Sequence, residues 1–112
     1  LAIKRDLFVQ LEEIVAEDAI LATNTSSLSV TALAAPLRRP GRVAGFHFFN
    51  PAPVMKLVEV VHGAATEPAV TERLFGLARA WGKTAVAVRS MPGFVVNRVA
   101  RPFYGEALRL LE

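Results

Sequence analysis

Two apolar runs, Val43 to Phe48 and Met55 to Val61, are joined through Asn50-Pro-Ala-Pro53, and each carries one ionisable residue, His47 and Glu59. Short apolar runs bounded by proline and glycine read as strands, here with Gly63 closing the second. A carboxylate buried without a partner is costly. An imidazole set among Phe46, Phe48 and Phe49 also needs a reason to be there. Both difficulties disappear if the two strands bring His47 and Glu59 together. That requirement constrains the fold more than any other feature of the chain.

The flanking sequence supplies helices and further strands. Apolar residues at Ile3, Leu7, Phe8, Leu11, Ile14 and Val15 have helical spacing, with Glu12, Glu13 and Glu17 expected on the outer face. Ala19 to Ala22 reads as a buried strand running into the polar turn Thr23-Asn-Thr-Ser-Ser27. Ser29 or Ser27 is placed to cap a short helix over Val30 to Ala34, which Pro36 stops. Glu67 to Trp81 fits an amphipathic helix with Pro68 near its first turn and Gly82 just past its end. Lys83 to Val88 is a fourth strand. Met91-Pro-Gly93 punctuates the chain, and Phe94 to Leu111 begins a third long helix, expected to break at Arg101-Pro102. The order is α/β with a mixed sheet.

With 112 residues, 53 % of them hydrophobic, the chain is one small domain able to bury a core. Its first residue is Leu1, and Glu112 falls within a helical pattern, so it is expected to be a piece of a longer polypeptide. It has no cysteine, which excludes disulfides and thiolate metal sites. Neither a signal peptide nor an apolar run long enough to span a bilayer is visible, so no membrane partner is expected and the setting is read as intracellular. The net charge of +3 raises the question of nucleic acid. The arginines are scattered except for Arg38, Arg39 and Arg42, without interleaved aromatics, and these three read as a solvated loop around Pro40-Gly41.

Four polar groups stand at buried or strand-end positions: Ser26, His47, Glu59 and Asn97. Ser26 follows the first strand, where open α/β sheets gather ligands. His47 is suited to carry a proton near neutrality. A carboxylate on one ring nitrogen, with Glu59 the candidate, would fix the tautomer and stabilise the imidazolium. Ser26 and Asn97 could hold substrate oxygens. Taken singly, each has a structural reading: His47 as a bonded core residue, Ser26 as a turn or cap residue, Asn97 as a helix cap. His62, at a strand end, reads as a surface residue. No Gly-x-Ser-x-Gly elbow supports a serine hydrolase, and two histidines without helical spacing do not make a metal site.

Asn24-Thr-Ser-Ser-Leu28, Gly45-Phe-His-Phe-Phe-Asn-Pro51, Val54-Met-Lys-Leu-Val-Glu-Val60 and Pro92-Gly-Phe-Val-Val-Asn-Arg98 together resemble the L-3-hydroxyacyl-CoA dehydrogenases, in order and over essentially the whole chain. The resemblance implies the second half of a Rossmann-type NAD-binding domain, residues 1–90, and the start of an all-α dimerisation domain, residues 91–112. It implies oxidation of an L-3-hydroxyacyl-CoA with NAD in a cytoplasmic homodimer. By the same resemblance His47 is the general base and Glu59 its orienting partner, Ser26, Asn97 and Asn50 serve the substrate, and Lys4, Asn24 and Ser26 lie near the cofactor. The seven glycines, at 41, 45, 63, 76, 82, 93 and 105, form no G-x-G-x-x-G, so the usual pyrophosphate cradle is missing. The chain by itself is therefore expected to be inactive. A noncatalytic module of the same fold and a basic nucleic-acid-binding domain are the alternative readings.

Overall fold

The computed structural model describes residues 1–25, 28–91, 94 and 96–111; for residues 96, 97 and 101 it describes the backbone alone. Its elements are α1 (Ala2–Ile14), β1 (Leu21–Thr23), α2 (Val30–Ala34), a 3-10 turn (Pro40–Arg42), β2 (Val43–Phe48), β3 (Leu57–His62), α3 (Pro68–Ala80), β4 (Thr84–Arg89) and α4 (Val96–Arg109). The four strands form one sheet in the order β1-β2-β3-β4. β1 and β2 are parallel, β2 and β3 antiparallel, and β3 and β4 parallel.

Strand alternation sorts the core into two clusters, one on each face. Val43 and Val61 pack with Phe8 of α1, Val30, Leu33 and Ala34 of α2, and Phe94. Ala44, Phe46, Val58 and Val60 pack against Val70, Leu74 and Ala78 of α3. Three layers result, with the sheet buried in the middle, which is why β2 and β3 read as nearly unbroken apolar runs. Gly45 lies between α2 and β3: a methyl group on it would sit 2.7 Å from Val61 Cβ and 3.3 Å from Val30 Cγ2.

Local chemistry sets the helix ends as expected in three places. Ser29 caps α2, its hydroxyl accepting from Ala32 N at 3.1 Å, and Pro68 opens α3. Gly82, at φ +73°, follows Trp81, the C-cap of α3. Other expectations need correction. α4 runs unbroken through Pro102. Pro102 can bond no carbonyl four residues back, but Arg98 is exposed, so water can serve its carbonyl.

The outer-face reading of α1 was wrong at Glu12. Ile3 and Ile14 are exposed, whereas Phe8 and Glu12 are buried. The Glu12 carboxylate accepts from Arg38 N and Arg39 N, each at 2.9 Å, and lies 3.5 Å from the Arg42 guanidinium. Arg42 is buried too, contrary to the solvated-loop reading, and its Nη1 donates to Ala16 O and Glu17 O. Arg38 and Arg39 remain exposed. This node ties the end of α1 to the entry of β2.

Burial alone would raise the Glu12 carboxyl. The backbone donors of Arg38 and Arg39, with the charges of Arg42 and Arg38, outweigh it and hold the group below its ordinary 4.5. A depressed carboxyl stabilises the fold above its unfolded value, and this is lost as pH falls through the folded value. Glu12→Gln should therefore lower the urea midpoint at pH 7, and the difference from the parent should shrink as pH falls below about 4.5. Gly45→Ala should destabilise the chain by about 1–3 kcal/mol in urea unfolding, because neither Val61 nor Val30 has room to move.

Candidate active site

The antiparallel register of β2 and β3 places His47 directly opposite Glu59. Opposed residues in such a ladder project to the same face with neighbouring Cβ atoms. Here that is the face covered by α1 and α2. Glu59 is 0 % exposed and His47 7 %. His47 Nδ1 lies 2.9 Å from Glu59 Oε1. An ionised carboxylate can only accept, so in a neutral ring bonded to it Nδ1 carries the hydrogen and Nε2 the lone pair.

Aromatic rings enclose the imidazole. Phe49 stands 4.7 Å away between centroids, and Phe94 5.8 Å away with its plane tilted by 65°. Their apolar surfaces limit water around the pair and strengthen its electrostatics.

The loop between the two strands is fastened from β4. The Asn50–Pro51 peptide is cis. Val54 N and Met55 N both donate to Pro51 O at 3.0 Å. Just before β4, Lys83 Nζ donates to Ala52 O at 2.6 Å and to Met55 O at 2.9 Å, and stands 5.9 Å from the Phe48 ring centroid. Thr84 N donates to Lys56 O at 2.8 Å. The Lys83 clamp went unread in the sequence, where the only signal was a lysine following the α3-closing Gly82.

The other expected site residues are placed less completely. Asn24 is exposed at the carboxyl end of β1, and its Oδ1 accepts from Phe48 N at 2.9 Å. That bond links the ends of β1 and β2 and leaves the amide NH2 to donate elsewhere. Asn50 is exposed at the head of the loop. Lys4 is half-buried in the first turn of α1. Ser26 lies outside the described residues, and Asn97 is described only as a backbone position in the first turn of α4. His62, expected at the surface, is half-buried at the end of β3, and its carbonyl accepts from Ser90 N. Among the described residues no group of three or more His, Asp or Glu side chains could hold a metal ion, and no helix is long and apolar enough to cross a membrane.

The family described as "3-hydroxyacyl-CoA dehydrogenase, NAD binding domain" matches residues 1–91. The chain belongs to this dehydrogenase family. It is 59 % identical over its whole length to the 3-hydroxyadipyl-CoA dehydrogenase of Escherichia coli K12, covering 24 % of that protein. It is 46 % identical over its whole length to the mitochondrial hydroxyacyl-coenzyme A dehydrogenase of Homo sapiens, covering 36 % of it. Among solved structures, the 3-hydroxybutyryl-CoA dehydrogenase of Escherichia coli K12 superposes with a TM-score of 0.96 at 58 % identity, over 98 % of this chain and 23 % of that one. The chain thus spans about a quarter to two-fifths of the length of the dehydrogenases it matches. The fold is Rossmann-like, the architecture of an NAD-binding domain.

Lys83→Met should release the 51–56 loop while leaving the sheet intact. Amide exchange at Val54 and Met55 should accelerate by about tenfold or more, with protection in β2 and β3 unchanged.

Proposed function

We propose that the chain is the acid–base half of an NAD-dependent L-3-hydroxyacyl-CoA dehydrogenase. The observation that carries this reading is the buried His47–Glu59 bond at 2.9 Å, in a chain whose relatives are named as dehydrogenases of hydroxyacyl-CoA substrates. In the oxidation direction, His47 Nε2 takes the proton of the substrate's 3-hydroxyl. Glu59 holds the ring in the required tautomer and stabilises the imidazolium as it forms. Ser26 and Asn97 hold the substrate oxygens, and Asn50 supports the same pocket.

The residues present fit one end of the cofactor. The Asn24 amide, anchored through Oδ1 on Phe48 N, has donors left for a carboxamide or hydroxyl at the carboxyl ends of β1 and β2, where α/β sheets bind nucleotides. Ser26 lies two residues farther on, and Lys4 is assigned to the same side. Bound NAD supplies the hydride acceptor for the substrate's C3. With no Gly-rich phosphate turn among its glycines, the chain by itself should bind NAD negligibly and give no turnover.

The domain boundary is placed near residue 90. Before it the chain is layered about the sheet, and after it α4 presents exposed Val99, Phe103, Tyr104 and Leu108. That apolar surface supports a helical dimerisation region and a homodimeric parent protein, which we place in the cytoplasm.

In the complete dehydrogenase carrying this segment, His47→Gln should reduce NADH formation from 3-hydroxybutyryl-CoA by about 10²–10⁴-fold while NAD binding persists. Turnover equal to the parent's would overturn the assignment. Glu59→Gln should lower kcat, since the carboxylate that holds the ring's tautomer and stabilises the imidazolium becomes a neutral amide. An unchanged kcat would mean that Glu59 does not serve the base.

A further inference from the structure

Phe94 combines three properties. It is a bulky residue in the left-handed region, at φ +48°, where L side chains other than asparagine and aspartate seldom sit. It is 0 % exposed and belongs to the same apolar cluster as Phe8, Leu21, Val30 and Val61. Its ring meets the His47 imidazole at 5.8 Å in an edge-on arrangement. A phenylalanine that only filled the core could do so from an ordinary backbone. An unfavourable conformation persists only where its surroundings over-determine it, and such positions gather at functional sites.

We propose that Phe94 is a positioning residue for His47. Glu59 restrains one ring atom, Nδ1, and a single hydrogen bond leaves the imidazole able to swing about it. Phe49 packs 4.7 Å from the imidazole, and the Phe94 ring, at 5.8 Å, closes the freedom that remains and shields the Nδ1–H···Oε1 bond from water. Phe94 stands two residues before α4, with its amide bonded to Met91 O at 3.0 Å. The ring therefore also ties the imidazole on the sheet to the segment that leads into α4. The functional meaning of this role rests on His47 being the base, but the restraint itself is a property of the chain without substrate.

The test uses solution NMR of the full 112-residue chain with its two histidines assigned. In the parent chain the His47 ring should show cross-relaxation with the Phe94 ring, and its Nδ1–H should exchange slowly. Phe94→Leu keeps the bulk apolar but removes the ring, and should accelerate Nδ1–H exchange by about tenfold or more. Val88→Ala, which truncates the same cluster, should leave that exchange close to the parent's. Equal acceleration in both variants, or none in Phe94→Leu, would overturn the proposal by reducing Phe94 to core filling. If Phe94→Leu fails to fold, Phe94→Met takes its place. Absence of cross-relaxation between the two rings in the parent chain overturns it without any variant. A result against His47 as the base in the complete enzyme would leave these measurements untouched, so the two failures can be told apart.

Discussion

The antiparallel pairing of β2 with β3 is the constraint on which the rest depends. It is the single antiparallel junction in a sheet whose other two pairings are parallel. It sets His47 against Glu59 in register, so that each supplies the partner the other needs in a dry interior. A one-residue slip of β3 against β2 would turn Glu59 to the α3 face and Val58 and Val60 away from it, parting the carboxylate from His47. The cost of such a slip makes the His47–Glu59 pair a determinant of register.

Around that junction, the structure restrains the site from several directions. Lys83 grips the loop carbonyls, Asn24 joins the ends of β1 and β2, and Phe49 and Phe94 bracket the imidazole. The Glu12–Arg42 node lies at the other end of β2, where it fixes how the strand enters the sheet. Acid–base chemistry requires positions held to fractions of an ångström, and rigid elements with bonded neighbours supply that.

Much of this was legible in the sequence because it is encoded locally. Apolar periodicity marked the helices and strands, Ser29 and Pro68 marked helix starts, and Gly82 marked an end. The His47–Glu59 pair could be anticipated because an apolar run containing one charged residue implies a partner. Glu12 was misread because its helical position admits either face. Only the arrival of the Arg38 and Arg39 amides, more than twenty residues away, makes burial tolerable there. Arg42 was missed for the same reason, and Pro102 because a lone proline announces a break that solvent exposure can accommodate.

By itself the sequence determined which segments are helix or strand, which two polar residues had to meet, and which family the chain belongs to. Those depend on side-chain spacing and on the cost of burying an unpaired charge, both properties of neighbours along the chain. Only the tertiary structure decided which face Glu12 turns to, what holds the 51–56 loop, and which ring lies against the imidazole. Each of these joins residues distant in sequence, and no local pattern records a contact that exists only after the layers have packed.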